Sequence, residues 1–98
     1  MRLASLSLRY KILDFLYKVY PEAVEELTII HVFYEYHTVD DIKKHLNYLV
    51  DKGYIEQKEI CLRLGTKKTT NIYKITSKGI DLMQGIIQDK AIPIPEDE

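Results

Sequence analysis

Apolar and polar positions recur along this chain with two periods, and the change from one to the other marks its central elements. Val39, Ile42, Leu46, Leu49 and Val50 recur at helical spacing and fall on one side of a helical wheel, so that side must face a core. Thr38 stands where an N-cap belongs, and Asp41, three residues on, is placed to reach back to the cap's amide. Gly53 supplies the stop. The spacing therefore predicts a helix over 38–52. Beyond the glycine the period shortens. Tyr54 to Leu62 is β-prone with imperfect alternation and Asn71 to Thr76 alternates cleanly, which predicts a hairpin with one buried face and a basic turn over 65–70.

Weaker patterns flank this unit. Leu3 to Tyr20 reads as a helix capped by Ser5 or Ser7 and stopped by Pro21, which biases Tyr20 away from helical geometry. Its apolar residues, Leu6, Leu8, Ile12, Leu13, Phe15, Leu16, Val19 and Tyr20, cover more than one stripe. Such a helix needs two neighbours. Either the small core wraps it alone, or a second copy of the protein covers its other side. Glu22 to Tyr36 carries two patterns. Val24, Leu27 and Ile30 space like a helix opened by three glutamates, whereas Thr28 to Tyr34 has the β-branched and aromatic residues of a strand. We take the helix through about Val32, followed by a turn through Tyr36 and His37. The last helix runs from Ser77, capped there or at Thr76, to about Asp89, with Ile80, Met83, Ile86 and Ile87 on one side. Gly85 within it costs about 1 kcal/mol against alanine, and marks either a close approach or a frayed end. The stretch from Ala91, with Pro93 and Pro95, cannot continue the helix, so residues 1–90 are expected to form the domain and 91–98 a flexible acidic tail.

Two spaced motifs carry a family resemblance. Leu46, Leu49, Gly53, Tyr54 and Ile55 fit a pattern close to L-x-x-L-x-x-x-G-h-I, where h is apolar, at the end of a helix. Tyr73, Ile75, Thr76 and Gly79 fit a pattern close to Y-x-h-T-x-x-G that closes a hairpin and starts a helix. At this separation the pair resembles the winged helix-turn-helix of MarR- and PadR-type transcriptional regulators and covers roughly half the chain. The resemblance implies an α+β fold with a three-helix core, a β-hairpin wing and a C-terminal helix. It further implies a DNA-binding regulator in which the 38–52 helix reads the major groove and the wing follows the backbone or minor groove, with terminal helices building a homodimer.

Composition changes this picture little, and charge changes it more. Hydrophobic residues at 46% and charged residues at 30% describe an ordinary globular protein. No apolar run approaches the roughly 20 residues of a membrane span, and serines, Arg9 and Lys11 interrupt the N-terminal stretch, so no secretory signal is expected. One cysteine, Cys61, excludes an internal disulfide and fits a reducing compartment, which places the protein in the cytoplasm. Fourteen basic residues against fifteen acidic ones leave a net charge of −1. The distribution is uneven. Without Glu96, Asp97 and Glu98, residues 1–90 hold 14 basic against 12 acidic residues, a net +2. Residues 58–78 hold Lys58, Arg63, Lys67, Lys68, Lys74 and Lys78 against Glu59 alone, whereas 20–41 hold six acids and no lysine or arginine. That polarity either orients the molecule on a polyanion wing first or is an ordinary solvated surface.

On the central helix, the face opposite Ile42 and Leu46 presents Asp40, Lys44, Asn47, Tyr48 and Asp51, with Lys43 at its edge. Lys43 and Lys44 suit phosphate or guanine, Asn47 suits adenine in the major groove, and Tyr48 suits a phosphate or a stacked base. Asp40 and Asp51 oppose phosphate, and Asp40 and Asp41 also satisfy the helix dipole. Carried over from the resembled families, Arg63, Lys67 and Lys68 at the wing are expected to touch the backbone or minor groove. Catalysis has no comparable signal: there is no glycine-rich phosphate loop and no nucleophile motif, His31, His37 and His45 share no i,i+4 face, and Cys61 reads as a small buried hydrophobe. Neither an enzyme nor a cofactor or metal site is expected. The competing function is a winged-helix adaptor that docks another protein without touching DNA.

Overall fold

The computed structural model describes residues 7–61 and 68–95. Seven elements follow in order: α1 (Leu8–Val19), β1 (Val24–Glu25), α2 (Glu26–Phe33), α3 (Val39–Lys52), β2 (Ile55–Cys61), β3 (Thr69–Ile75) and α4 (Ser77–Met83). The three strands form an antiparallel sheet in the order β1-β3-β2. Among the described residues, no helix is long and apolar enough to cross a membrane.

Ser7 caps α1 by accepting from the Tyr10 amide at 3.1 Å, and Tyr20, ahead of Pro21, is extended as its position requires. Leu8, Ile12, Leu13 and Leu16 are buried, and Tyr10, Phe15, Tyr17 and Val19 pack against the same core. One chain thus covers most of this helix, with α3, α4 and β3 as its neighbours. The breadth of its apolar surface needs no second copy. The expected span started at Leu3; residues 1–6 lie outside the described ones.

The ambiguous stretch resolves into both patterns in series. Val24 pairs with Tyr73 and Glu25 with Ile72, so the residues expected to open a helix instead add a short strand to the edge of β3. The helix then runs over Glu26–Phe33, and Thr28 to Tyr34 forms no strand. Three favourable glutamates could not hold the first turn at Glu22 because the open edge of β3 offered the Val24–Glu25 backbone a better set of partners. Two other expectations are corrected. Val39 is 43% exposed rather than part of the core face of α3, and Cys61 is exposed rather than buried. Cys61 ends β2 opposite Thr69, at the solvated end of the hairpin. Thr69 and Thr70, read as turn, already belong to β3.

Both helix stops are Schellman motifs, in which a left-handed residue lets two following amides satisfy the last carbonyls. At the end of α3, Gly53 has φ +85°, its amide donates to Val50 O at 2.9 Å, and the Tyr54 amide donates to Leu49 O at 3.0 Å. Leu49 and Tyr54, the residues joined by that longer bond, are both buried. Gly85 repeats the arrangement: its φ is +79°, its amide donates to Leu82 O, and the Ile86 amide donates to Asp81 O. α4 therefore ends at Met83, six residues short of the expected Asp89. A Cβ on Gly85 would meet nothing within 4 Å, so this glycine serves a turn and not a close approach. The chain then returns to the body. Ile92, directly ahead of Pro93, is 1% exposed and belongs to the core, a burial that the sequence did not announce. Residues 96–98 lie outside the described ones.

Candidate nucleic-acid interface

α3 is fixed at both ends. Thr38 Oγ1 accepts from the Asp41 amide at 3.1 Å, and the Gly53 stop closes the other end. Ile42, Leu46 and Leu49 point into the core, so the opposite face is presented to solvent by geometry alone. Asp40, Lys44, Asn47 and Asp51 form that ridge; all four are exposed, and no hydrogen bond or ion pair engages their side chains among the described residues. Lys44 and Asn47 are thus brought together as free donors.

The other expected contact residues of the helix lie on its flanks. Lys43 Nζ stands 3.8 Å from Glu26 Oε2. The same carboxylate accepts from Tyr73 Oη at 2.9 Å and lies 3.5 Å from Asn71 Nδ2. Glu26 therefore joins α2, the wing strand β3 and the edge of α3. Burial, reinforced by this carboxylate, holds the Tyr73 phenol well above its ordinary pKa. Tyr48 lies on the other flank, half-buried, with the Arg9 guanidinium 3.8 Å from its ring centroid. Arg9 also lies 3.4 Å from His45 Nδ1 and 3.4 Å from Ala91 O. Burial and the Arg9 charge both lower the His45 pKa, so neutral imidazole is favoured there.

On the wing, β2 and β3 pair from Ile55↔Ile75 out to Cys61↔Thr69. Ile55, Tyr73 and Ile75 are buried at its base, and exposed Lys68 precedes β3. Glu59, the one acid of the basic stretch, accepts from Thr69 Oγ1 at 3.0 Å. Arg63 and Lys67 lie outside the described residues.

No family model matches the chain, and no curated protein does either. Among solved structures, the chain is similar to PadR of Bacillus subtilis, crystallised in complex with operator DNA, with 26% sequence identity and a TM-score of 0.62. The likeness covers 93% of this chain and 52% of that one, so the chain spans about half the length of its solved neighbour. The chain has a PadR-like winged-helix fold.

The two motifs behind that resemblance now have physical reasons. In the first, Gly53 turns the chain and Tyr54 closes over Leu49. In the second, Thr76 Oγ1 accepts from the Gly79 amide at 3.2 Å and donates to Gly53 O at 2.6 Å, while the Thr76 amide donates to Tyr54 O at 2.9 Å. One threonine thus caps α4 and ties it to the exit of α3. Gly79 is needed because a Cβ there would sit 2.3 Å from Tyr54 O and 2.6 Å from Ile75 Cγ1.

A third anchor of the PadR-like fold escaped sequence reasoning. Asp89 Oδ2 accepts from Tyr54 Oη at 2.7 Å and pairs with Lys52 Nζ at 3.0 Å, and Asp89 Oδ1 accepts from the Ala91 amide at 2.9 Å. The Tyr54 hydroxyl, the Ala91 amide and Lys52 hold the Asp89 carboxyl down at about 2, and burial, then Asp89, pushes the Tyr54 phenol up to about 12. The segment after α4 is thereby bound to the end of α3. No local signal marks this junction, because Tyr54 and Lys52 lie 35 and 37 residues upstream of Asp89.

Proposed function

We propose that this chain is a DNA-binding transcriptional regulator that acts in the cytoplasm as a homodimer. α3 enters the major groove with Lys44 toward phosphate or guanine and Asn47 toward adenine. Lys43 and Tyr48 serve from its flanks as backbone contacts, and Arg63, Lys67 and Lys68 of the wing meet the backbone or minor groove. The observation that carries this reading is the unengaged ridge of Lys44 and Asn47 on a helix capped at both ends, in a fold whose solved neighbour holds operator DNA. Asp40 and Asp51 on the same ridge repel phosphate except where they accept from a cytosine amine, so they lower nonspecific affinity more than specific affinity.

The dimer reading draws on the segment after α4. Ile86 is 66% exposed, and its chain neighbours Gly85 and Ile87 line a groove of ≈ 420 Å³ together with Leu82, Met83, Ile92 and Ile94, among others. An apolar residue at such a groove suits a contact between copies.

The test is a salt-titrated DNA shift with the full chain. Lys44→Ala lowers the salt slope by about 1 and weakens binding to all duplexes alike, whereas Asn47→Ala costs about 1–3 kcal/mol on the selected duplex and little on random DNA. Unchanged affinity and slope in both variants reject the placement of α3 in the groove. Sedimentation tests the dimer separately: Ile86→Asp yields monomers where the parent chain is dimeric, and an unchanged mass rejects a contact through Ile86.

A further inference from the structure

The described residues expose seven large hydrophobic or aromatic side chains, and five of them, Leu27, Val32, Tyr34, Tyr36 and Val39, fall within α2, the turn after it and the first residue of α3. Leu27, His31 and Tyr34 succeed one another along one side of α2, opposite buried Ile29, and the rings of His31 and Tyr34 lie 6.2 Å apart. Leu27 is 62% exposed, Tyr34 61% and Tyr36 82%. Singly exposed apolar residues need no explanation, but a run of them on one helix face marks an interaction surface.

The surroundings of this face select its partner. No lysine or arginine occurs between Lys18 and Lys43. Glu22, Glu25, Glu35, Asp40 and Asp41 are all exposed and rim the apolar run, while Glu26 turns inward to Lys43 and Tyr73. A polyanion is repelled by such a rim, so DNA is not its occupant. An apolar centre with an acidic border is complementary to a segment with an apolar stripe bordered by lysine or arginine. The lysine-bearing wing of another copy has the right sign, but among the described residues β2 and β3 expose no large apolar side chain to fill the centre of this face.

We infer that the outer face of α2 and the turn after it dock a cationic, amphipathic segment of another protein. This is a second binding activity, centred on α2 and adjoining the ridge of α3 at Asp40, and its test does not depend on DNA binding. The occupant lies beside the N-terminal end of α3, next to Asp40 and Asp41. Rim carboxylates set the attraction and its salt sensitivity; Leu27 and Tyr34 supply the buried contact.

The probe is a peptide of about 14 residues, roughly four helical turns, made of leucine and lysine at helical spacing, with a matched peptide carrying glutamate for lysine. Binding to the full chain is followed by backbone amide shifts. The lysine peptide shifts residues 25–39 saturably, the glutamate peptide does not, and Leu27→Ser/Tyr34→Ser weakens the complex by about tenfold or more. Both substituted residues are exposed, so the variant keeps the parent melting temperature and its DNA shift stays within about twofold. Equal peptide affinity in parent and variant overturns the inference, as do shifts centred outside α2. Self-association of the parent chain that the double variant abolishes also overturns it, by assigning the face to a second copy.

Discussion

Gly79→Ala tests how closely α4 is held against the exit of α3. The added Cβ would lie 2.3 Å from Tyr54 O, 2.6 Å from Ile75 Cγ1 and 3.2 Å from Ile75 Cδ1. Ile75 can change rotamer, but the carbonyl cannot move aside, because it is backbone and already accepts from the Thr76 amide at 2.9 Å. Restoring an ordinary separation requires α4 to retreat by roughly 1 Å, with an overpacking cost of about 1–3 kcal/mol. The same retreat stretches the Thr76 bond, whose loss adds about 1 kcal/mol. Alanine recovers at most about 1 kcal/mol of helix propensity. The balance is a loss of about 2 kcal/mol, which lowers the melting temperature by roughly 8–16 °C in a domain of this size. Thermal unfolding followed by circular dichroism measures it, with Gly85→Ala as the control. There a Cβ meets nothing, and only the left-handed backbone at φ +79° is penalised, by about 1 kcal/mol. A Gly79→Ala variant as stable as the parent, or losing less than Gly85→Ala, would refute the claim that close approach fixes the glycine.

Two further outcomes concern the carboxylate anchors. Asp89 has its pKa lowered to about 2 from 3.8, so its stabilisation is present above about pH 4 and is lost as the pH falls toward 2. Asp89→Asn should flatten that acid limb by on the order of 1 kcal/mol after solvent screening, and urea midpoints compared at pH 7 and pH 3 measure it; parallel limbs in parent and variant would contradict the assignment. Glu26→Ala leaves the Tyr73 hydroxyl without its acceptor and should cost about 1–3 kcal/mol by urea unfolding. Glu26→Gln, which still accepts from Tyr73, should cost less than half as much, and equal losses would place the contribution in the charge pair with Lys43 instead.

What was legible in the chain was what is local. The caps at Ser7, Thr38 and Thr76 and the stop at Gly53 each rest on bonds spanning three to five residues, so residue type at fixed spacing found Thr38 and Gly53 and narrowed the other two caps to Ser5 or Ser7 and to Thr76 or Ser77. The outward direction of Lys44 and Asn47 followed from the same periodicity that buried Ile42, Leu46 and Leu49. Where a local signal pointed both ways, as over Glu22 to Tyr36, distance decided: Val24 became a strand because Tyr73, 49 positions away, offered a sheet edge. Gly85 was found as a breaker but not as a stop, because its φ depends on carbonyls whose exposure only the finished turn reveals.

Sequence alone therefore determined the order of the four helices and the hairpin, the face of α3 that meets solvent and the two glycine-centred motifs, since each depends on periodicity, capping or backbone freedom within a few residues. Tertiary structure alone decided which polar residues of α3 are free and which are engaged. Lys43 is held by Glu26, and Tyr48 lies against Arg9, whereas Lys44 and Asn47 remain available. The physical reason is separation. Glu26 meets Tyr73 across 47 positions, Tyr54 meets Asp89 across 35, and Arg9 reaches Ala91 across 82, and no local propensity encodes a contact that exists only after the core has closed.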